Sequence, residues 1–289
     1  GWQMSPRAVE KFVRGDEKLG IERKFVADRA MVVRTIISLC TSRGCLLVGE
    51  PGTAKSWLSE LLSAAISGSS TLTLQGGAVS HVGQLLYSWN ESVLHNEGPC
   101  LKALVPSPLL RGMMEGRMVR FEEIARCPQA LQDVHRMSAA LKRRMDFEEI
   151  RPIRNLSDEM DVVLREVRKA NVRAGVELDL DEPVIEILVT IFHELRNGQT
   201  LDGRSTDRLA GSALSTAEAV SVAHAASLNA WYYGGGSITV ELLMHHIIGS
   251  ALKDQPEDRR RLRHYFETAV APRRGGNWQQ AWALRSLIH

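Results

Sequence analysis

Apolar positions change their spacing several times along the chain, and each change marks an element. From Ser5 to Val13 and again from Asp28 to Cys40 they recur at helical spacing, which predicts two helices. Gly44 to Val48, GCLLV, is a continuous apolar run of the kind made by a buried parallel strand, and it ends in a Gly/Pro turn. Helical spacing returns at Trp57, Leu58, Leu61, Leu62 and Ile66 on one face closed by Gly68, and Thr71 to Gln75 then alternates as a short strand. That order is β-α-β. After the break at Gly76-Gly77, His81 to Leu94 predicts an amphipathic helix carrying Tyr87 and Trp89. Pro108 to Met114 predicts another, ended by Gly116, and Met118 to Phe121 a strand that runs into Glu122-Glu123.

Downstream, MSAALKRRM over Met137 to Met145 predicts a helix ending in cations, which complement a helix C-terminus, and Asp146 to Ile150 a further strand. Beyond Pro152 only helical patterns remain. Val184, Ile187, Leu188, Ile191 and Leu195 line one face; Ser215-x-x-Glu218 is a capping box opening a helix to Trp231; Thr239 and Pro256 open two more. The pattern sets a boundary near Asn155, giving an α/β domain over 1–155 and an all-helical domain over 156–289.

Composition changes this picture little. With 289 residues and 44% hydrophobic content, the chain can bury a core in each part. The 36 basic residues nearly balance 34 acidic ones, so the charge gives no reason to expect nucleic acid or an anionic membrane as partner. Cys40, Cys45, Cys100 and Cys127 form no C-x-x-C pair and lie beside core segments, which predicts buried reduced thiols and a cytoplasmic setting. No run is long and apolar enough to span a membrane, and His245-His246 reads as surface or core filling rather than a metal pair.

The chemistry gathers where the first strand ends. GEPGTAKS leads from a strand into a helix, and its row of backbone N–H groups from Gly49, Glu50, Pro51, Gly52, Thr53, Ala54, Lys55, Ser56 and Trp57, proline excepted, can cradle a phosphate chain at a helix N-terminus. Lys55 would reach the β/γ-phosphates and the Ser56 hydroxyl would ligate Mg²⁺. The strict pattern has Gly where Ala54 stands, a mismatch without consequence if that residue has helical φ. Glu122 and Glu123 close a strand at the edge where ligands bind in α/β sheets. Glu122 is placed to hold a metal-bound water, and Glu123 to orient the attacking water. No Asn-Lys-x-Asp motif for guanine occurs, so ATP is the expected nucleotide.

GEPGTAKS, EGRMVRFEEIARCP and MSAALKRRMDF, followed by an all-helical tail, together resemble the MoxR-like branch of the AAA+ ATPases. The resemblance implies a P-loop sheet of strand order 5-1-4-3-2 with a C-terminal helical lid, and a ring, usually a hexamer, that remodels a protein client with ATP and Mg²⁺. It also implies a von Willebrand type A partner, and an arginine finger acting in trans at Arg144, with Arg143 the alternate. The stretch over His81 to Leu94 corresponds to an insert facing the ring's pore. A nucleic-acid motor or restriction-type NTPase, and a nucleotide-binding scaffold that no longer hydrolyses, are the alternatives. This chain departs from the family at four places, one of them Ala125 where an Asn is usual after the acidic pair. Glu122 replaces the usual Asp. Ala217 stands where the lid commonly offers an arginine, leaving Arg204 or Arg208 as substitutes. Between Ile124 and Met145 no apolar or β-branched run supplies the fourth strand, which predicts a segment missing at Val134-His135.

Overall fold

The structure, a computed structural model, describes residues 2–79, 82–126, 143–209, 214–234, 236–252 and 256–288. The chain forms two compact units. One comprises Gly1–Val48 with Ala54–Ile150; the other comprises Arg151–His289 and also takes in Gly49–Thr53, the middle of the glycine-rich loop.

In the first unit three helices carry the core. Helix α1 (Pro6–Arg14) starts where the Ser5 hydroxyl accepts from Ala8 N and Pro6 fills the first position, α2 is Arg29–Cys40, and α3 is Lys55–Ser67. Val9, Val13, Val32, Ile36, Leu58 and Leu62 meet between them, each no more than 2% exposed, and each contributes roughly 1.5–3 kcal/mol by leaving water.

The described strands make three two-stranded sheets. Strand β1 (Gly44–Val48) runs parallel to β6 (Met145–Glu149), and β2 (Thr73–Gln75) parallel to β5 (Arg120–Glu122). A 5-1-4-3-2 sheet has these same two neighbour pairs; among the described residues no strand joins them, and the Val134-His135 position lies outside the described residues. Helix α2 fastens β6, because Arg34 donates to both oxygens of the buried Glu148 at 2.9 Å and Ser38 donates to Asp146 at 2.6 Å.

Two expectations for this unit are corrected. Of the helix predicted over Met137 to Met145, the part up to residue 142 lies outside the described residues; Arg143 and Arg144 occupy a turn, Arg144 O accepts from Gly44 N at 2.9 Å, and Met145 opens the β-ladder instead of ending a helix. The amphipathic helix over His81 to Leu94 is instead a short 3₁₀ turn at Val82–Leu85, strand β3 (Tyr87–Trp89) and the start of α4 (Glu91–Glu97). Tyr-Ser-Trp favours extended backbone, pairs antiparallel with β4 (Leu104–Pro106), and stacks its two rings edge to face at 5.6 Å. Asn90 then caps α4 by accepting from Val93 N. Helix α5 (Pro108–Glu115) ends at Gly116, as its sequence predicts.

The helical unit is built around the Glu182–Asn197 helix, buried from Val184 to Arg196 apart from Glu186. Sequence spacing predicted one apolar face; the opposite face is buried as well, and its polar residues are consumed by ion pairs. Glu159, wholly buried on the Leu156–Arg173 helix, accepts from His193 Nδ1 at 2.8 Å, from Arg196 at 2.6 and 2.9 Å, and from Thr216 Oγ1 at 2.7 Å. Glu194, equally buried, accepts from Tyr265 at 2.6 Å, Arg273 at 2.5 Å and Leu201 N at 2.8 Å. The capping box opens the Thr216–Tyr232 helix with both reciprocal bonds formed, and Thr239 caps Val240–Ala251.

Candidate nucleotide site

The glycine-rich loop departs from regular structure one residue at a time. Gly49 has φ 152° and Gly52 φ 76°, both favouring glycine. A Cβ on Gly52 would lie 2.2 Å from Ser215 Cβ, so side-chain bulk is excluded there as well. Thr53 Oγ1 closes the turn by donating to Glu50 O at 2.9 Å. The condition under which the Ala54 mismatch would carry no consequence, a helical φ, is not met: φ is 61° and ψ 32°, the left-handed region. An L-residue there costs about 1–2 kcal/mol, which is the physical reason the strict pattern has glycine.

Lys55 and Ser56 are the first residues of α3, where backbone N–H groups have no partner within the helix. Partial burial lowers the Lys55 ammonium pKa below its ordinary value. Ser56 Oγ donates to Glu122 Oε2 at 2.6 Å, so the structure brings together the two residues expected on the metal side. Two further groups hold Glu122: Ser59 Oγ at 3.0 Å and Arg120 Nη1 at 3.0 Å, both on Oε1. Both were legible in principle and were missed. Ser59 lies three residues after Ser56, on the same face of α3, and Arg120 lies two before Glu122, on the same face of β5. Trp57 turns its indole N–H to Lys24 O at 3.1 Å.

Glu123 follows in a left-handed conformation, φ 50°, with its carboxylate on Arg126 Nε at 3.2 Å. Non-glycine residues in this region cluster at functional sites. Arg143 and Arg144 are exposed, at the Gly44 end of β1, whereas the glycine-rich loop leaves the Val48 end. The two ends of that five-residue strand lie about 13 Å apart at ~3.3 Å per residue.

Within the helical unit, Glu50 accepts from Arg208 Nη2 at 2.7 and 2.8 Å. Arg204, the other arginine considered, is engaged with Asp202 at 2.9 Å and Thr268 O at 3.3 Å. Ala217 is exposed on the first turn of its helix.

Residues 44–173 match a family model described as an AAA domain of the dynein-related subfamily, and residues 157–289 match the YehL-like AAA+ ATPase C-terminal domain. Over its whole length, and over 90% of the relative's, the chain is 40% identical to "Uncharacterized protein YehL" of Escherichia coli (strain K12). The chain belongs to the YehL-like AAA+ ATPases. In this YehL-like chain the loop, Glu122 and Glu123 all fall within the AAA match, which implies a P-loop α/β fold followed by a helical domain. Arg208 and the Glu159 cluster belong to the YehL-like C-terminal match. The aligned span of 330 residues exceeds the chain's 289 by 41, so the relative holds residues without counterpart here.

Among the described residues no helix is long and apolar enough to cross a membrane, and no three His, Cys, Asp or Glu side chains cluster as metal ligands. Cys40, Cys45 and Cys100 are free. Burial pushes the Cys45 thiol up to about 11, while Cys40 is exposed rather than buried as expected.

Proposed function

We propose that this chain is an ATP-hydrolysing AAA+ ATPase of MoxR-like type, working as a homo-oligomeric ring, most simply a hexamer, to remodel a protein client in the cytoplasm with a von Willebrand type A protein as partner. The observation that carries the enzymatic part is the 2.6 Å hydrogen bond from Ser56 to Glu122 at the head of α3. It sets a hydroxyl and a carboxylate side by side, two hard oxygen donors of the kind that suit Mg²⁺, which needs only one or two protein ligands because phosphates and water complete its shell. Bound there, the ion would neutralise phosphate charge. Lys55 contributes a cation to the phosphates, the loop contributes N–H donors, and Glu123 orients water. Arg144, at the far end of β1 from its own loop, completes a neighbouring subunit's site, so turnover per subunit rises with protein concentration. We assign the missing fourth strand to the 41 residues by which the aligned span of the relative exceeds this chain.

The test is phosphate release alongside ATP binding in Glu123→Gln. The reading expects ATP to bind as in the parent while turnover falls by orders of magnitude. Turnover at the parental rate would contradict the role of Glu123, and a parent that binds ATP without hydrolysing it would leave the scaffold alternative standing.

A further inference from the structure

The two oxygens of Glu122 keep different company. Oε1 accepts from Arg120 Nη1 and from Ser59 Oγ, both at 3.0 Å, whereas Oε2 accepts from the Ser56 hydroxyl at 2.6 Å. Arg120 is itself held in place: Nε and Nη2 donate to Ser70 O at 3.2 and 3.1 Å, and its backbone N donates to Leu72 O at 2.9 Å. The guanidinium thus bridges the chain leading into β2 and the end of β5. The Arg120 and Glu122 side chains are only 13% and 15% exposed, while Ser56 is exposed, so Oε1 is anchored inside the protein and Oε2 is turned to the head of α3.

This division bears on which divalent cation the carboxylate can accept. Ca²⁺ gathers roughly six to eight oxygens in a flexible shell and readily takes both oxygens of one carboxylate, whereas Mg²⁺ demands near-octahedral geometry, which the narrow bite of a bidentate carboxylate does not fit. With Oε1 taken up by two donors, a bidentate clasp would break a charge-assisted hydrogen bond at a site largely shielded from water. Glutamate also has one more rotatable bond than the aspartate usual at this position. Without anchors, Glu122 could turn either oxygen, or both, towards a cation.

We infer that Arg120 is a positioning residue that selects Mg²⁺ over Ca²⁺: together with Ser59 it occupies Glu122 Oε1 and leaves Oε2 alone for the metal. The inference deepens the proposed function and rests on it, because it takes Ser56 and Glu122 as the metal side of the site. Its test is ATP titration without divalent cation, with Mg²⁺ and with Ca²⁺, in the parent, Arg120→Ala, Arg120→Lys, Ser59→Ala and Glu122→Ala, with thermal unfolding of each. The quantity read is the ratio of the affinity gain from Mg²⁺ to the gain from Ca²⁺. Both ions carry the same charge, so loss of the arginine's charge shifts both gains alike, and a merely structural role for Arg120 would not move their ratio. The parent should favour Mg²⁺, and Arg120→Ala should lower the ratio about threefold or more, because Oε1 becomes available to Ca²⁺. Arg120→Lys should fall between Arg120→Ala and the parent, since a single nitrogen cannot span Ser70 O and Oε1 as the fork does. Ser59→Ala should lower the ratio less than Arg120→Ala. Alanine is the best helix former, so Ser59→Ala keeps α3 intact and carries the test if Arg120→Ala does not fold. A parent that prefers Ca²⁺ overturns the inference, and so does a parental ratio in Arg120→Ala, or in Ser59→Ala where Arg120→Ala is unfolded. A parent that gains nothing from Mg²⁺, or a gain that survives in Glu122→Ala, overturns the metal side of the proposed function along with it. A gain lost in Glu122→Ala with a ratio unmoved by Arg120→Ala overturns this inference alone.

Discussion

Two glutamates, one in each unit, receive nearly the same partners and differ in what surrounds them. Glu159 accepts from an arginine, a histidine and a threonine and is sealed in the helical core. Glu122 accepts from an arginine and two serines, on a strand end beside the exposed Ser56. At Glu159 all the donors are spent inside the protein and none can be given up cheaply. At Glu122 two of three donors are hydroxyls, which rotate, so a cation can take the place of the Ser56 proton without unfolding anything. The comparison separates a carboxylate that holds a fold from one poised to change partners.

The largest effect that would sharpen this contrast is at Glu159. Glu159→Ala leaves the Arg196 guanidinium buried without its partner, and a broken buried pair costs about 3–5 kcal/mol, which denaturant unfolding would read directly. Ser56→Ala, which removes one donor from Glu122 at an exposed position, should leave stability within about 1 kcal/mol of the parent.

Acid provides a second separation. Burial opposes ionisation of Glu159, but hydrogen bonds from His193, Arg196 and Thr216, with the Arg196 charge, outweigh it and hold the pKa below its ordinary 4.5. A folded-state pKa below the unfolded one contributes stability that is complete above about pH 4.5 and lost as pH falls through the folded value. Unfolding of the chain should therefore steepen with acid below that point, and Glu159→Gln should flatten the slope.

The smallest effect belongs to the loop itself. Ala54→Gly removes the left-handed strain of an L-residue while adding backbone freedom to the unfolded chain, so the net gain should be about 1 kcal/mol or less, read as a higher unfolding midpoint. A loss of stability would mean that Ala54 is not strained.

Much of this was legible in local sequence. Caps that depend on residues three apart, such as Ser215 with Glu218 and Asn90 with Val93, follow from short-range chemistry, although Asn90 was hidden by an expected helix. The loop and the acidic pair were legible because phosphate chemistry demands particular residues at fixed spacing. What failed was conformation set by tertiary context. Ala carries no mark of a positive φ, and Tyr87-Ser88-Trp89 becomes a strand only because Leu104–Pro106 is there to pair with it. Burial of His193, Glu194 and Arg196 was equally hidden, since charged residues read as a solvated face until Glu159, Tyr265 and Arg273 are placed against them. Arg208 reaches Glu50 across 158 positions, a separation no local pattern spans.

The central claim is that Ser56 and Glu122 form the metal side of an ATP site, and the most direct measurement is ATP affinity with and without Mg²⁺ in the parent and in Glu122→Ala. The account predicts that Mg²⁺ tightens ATP binding by the parent and that this gain largely disappears in Glu122→Ala, while metal-free affinity changes little. A Mg²⁺ effect of the same size in both proteins would contradict it.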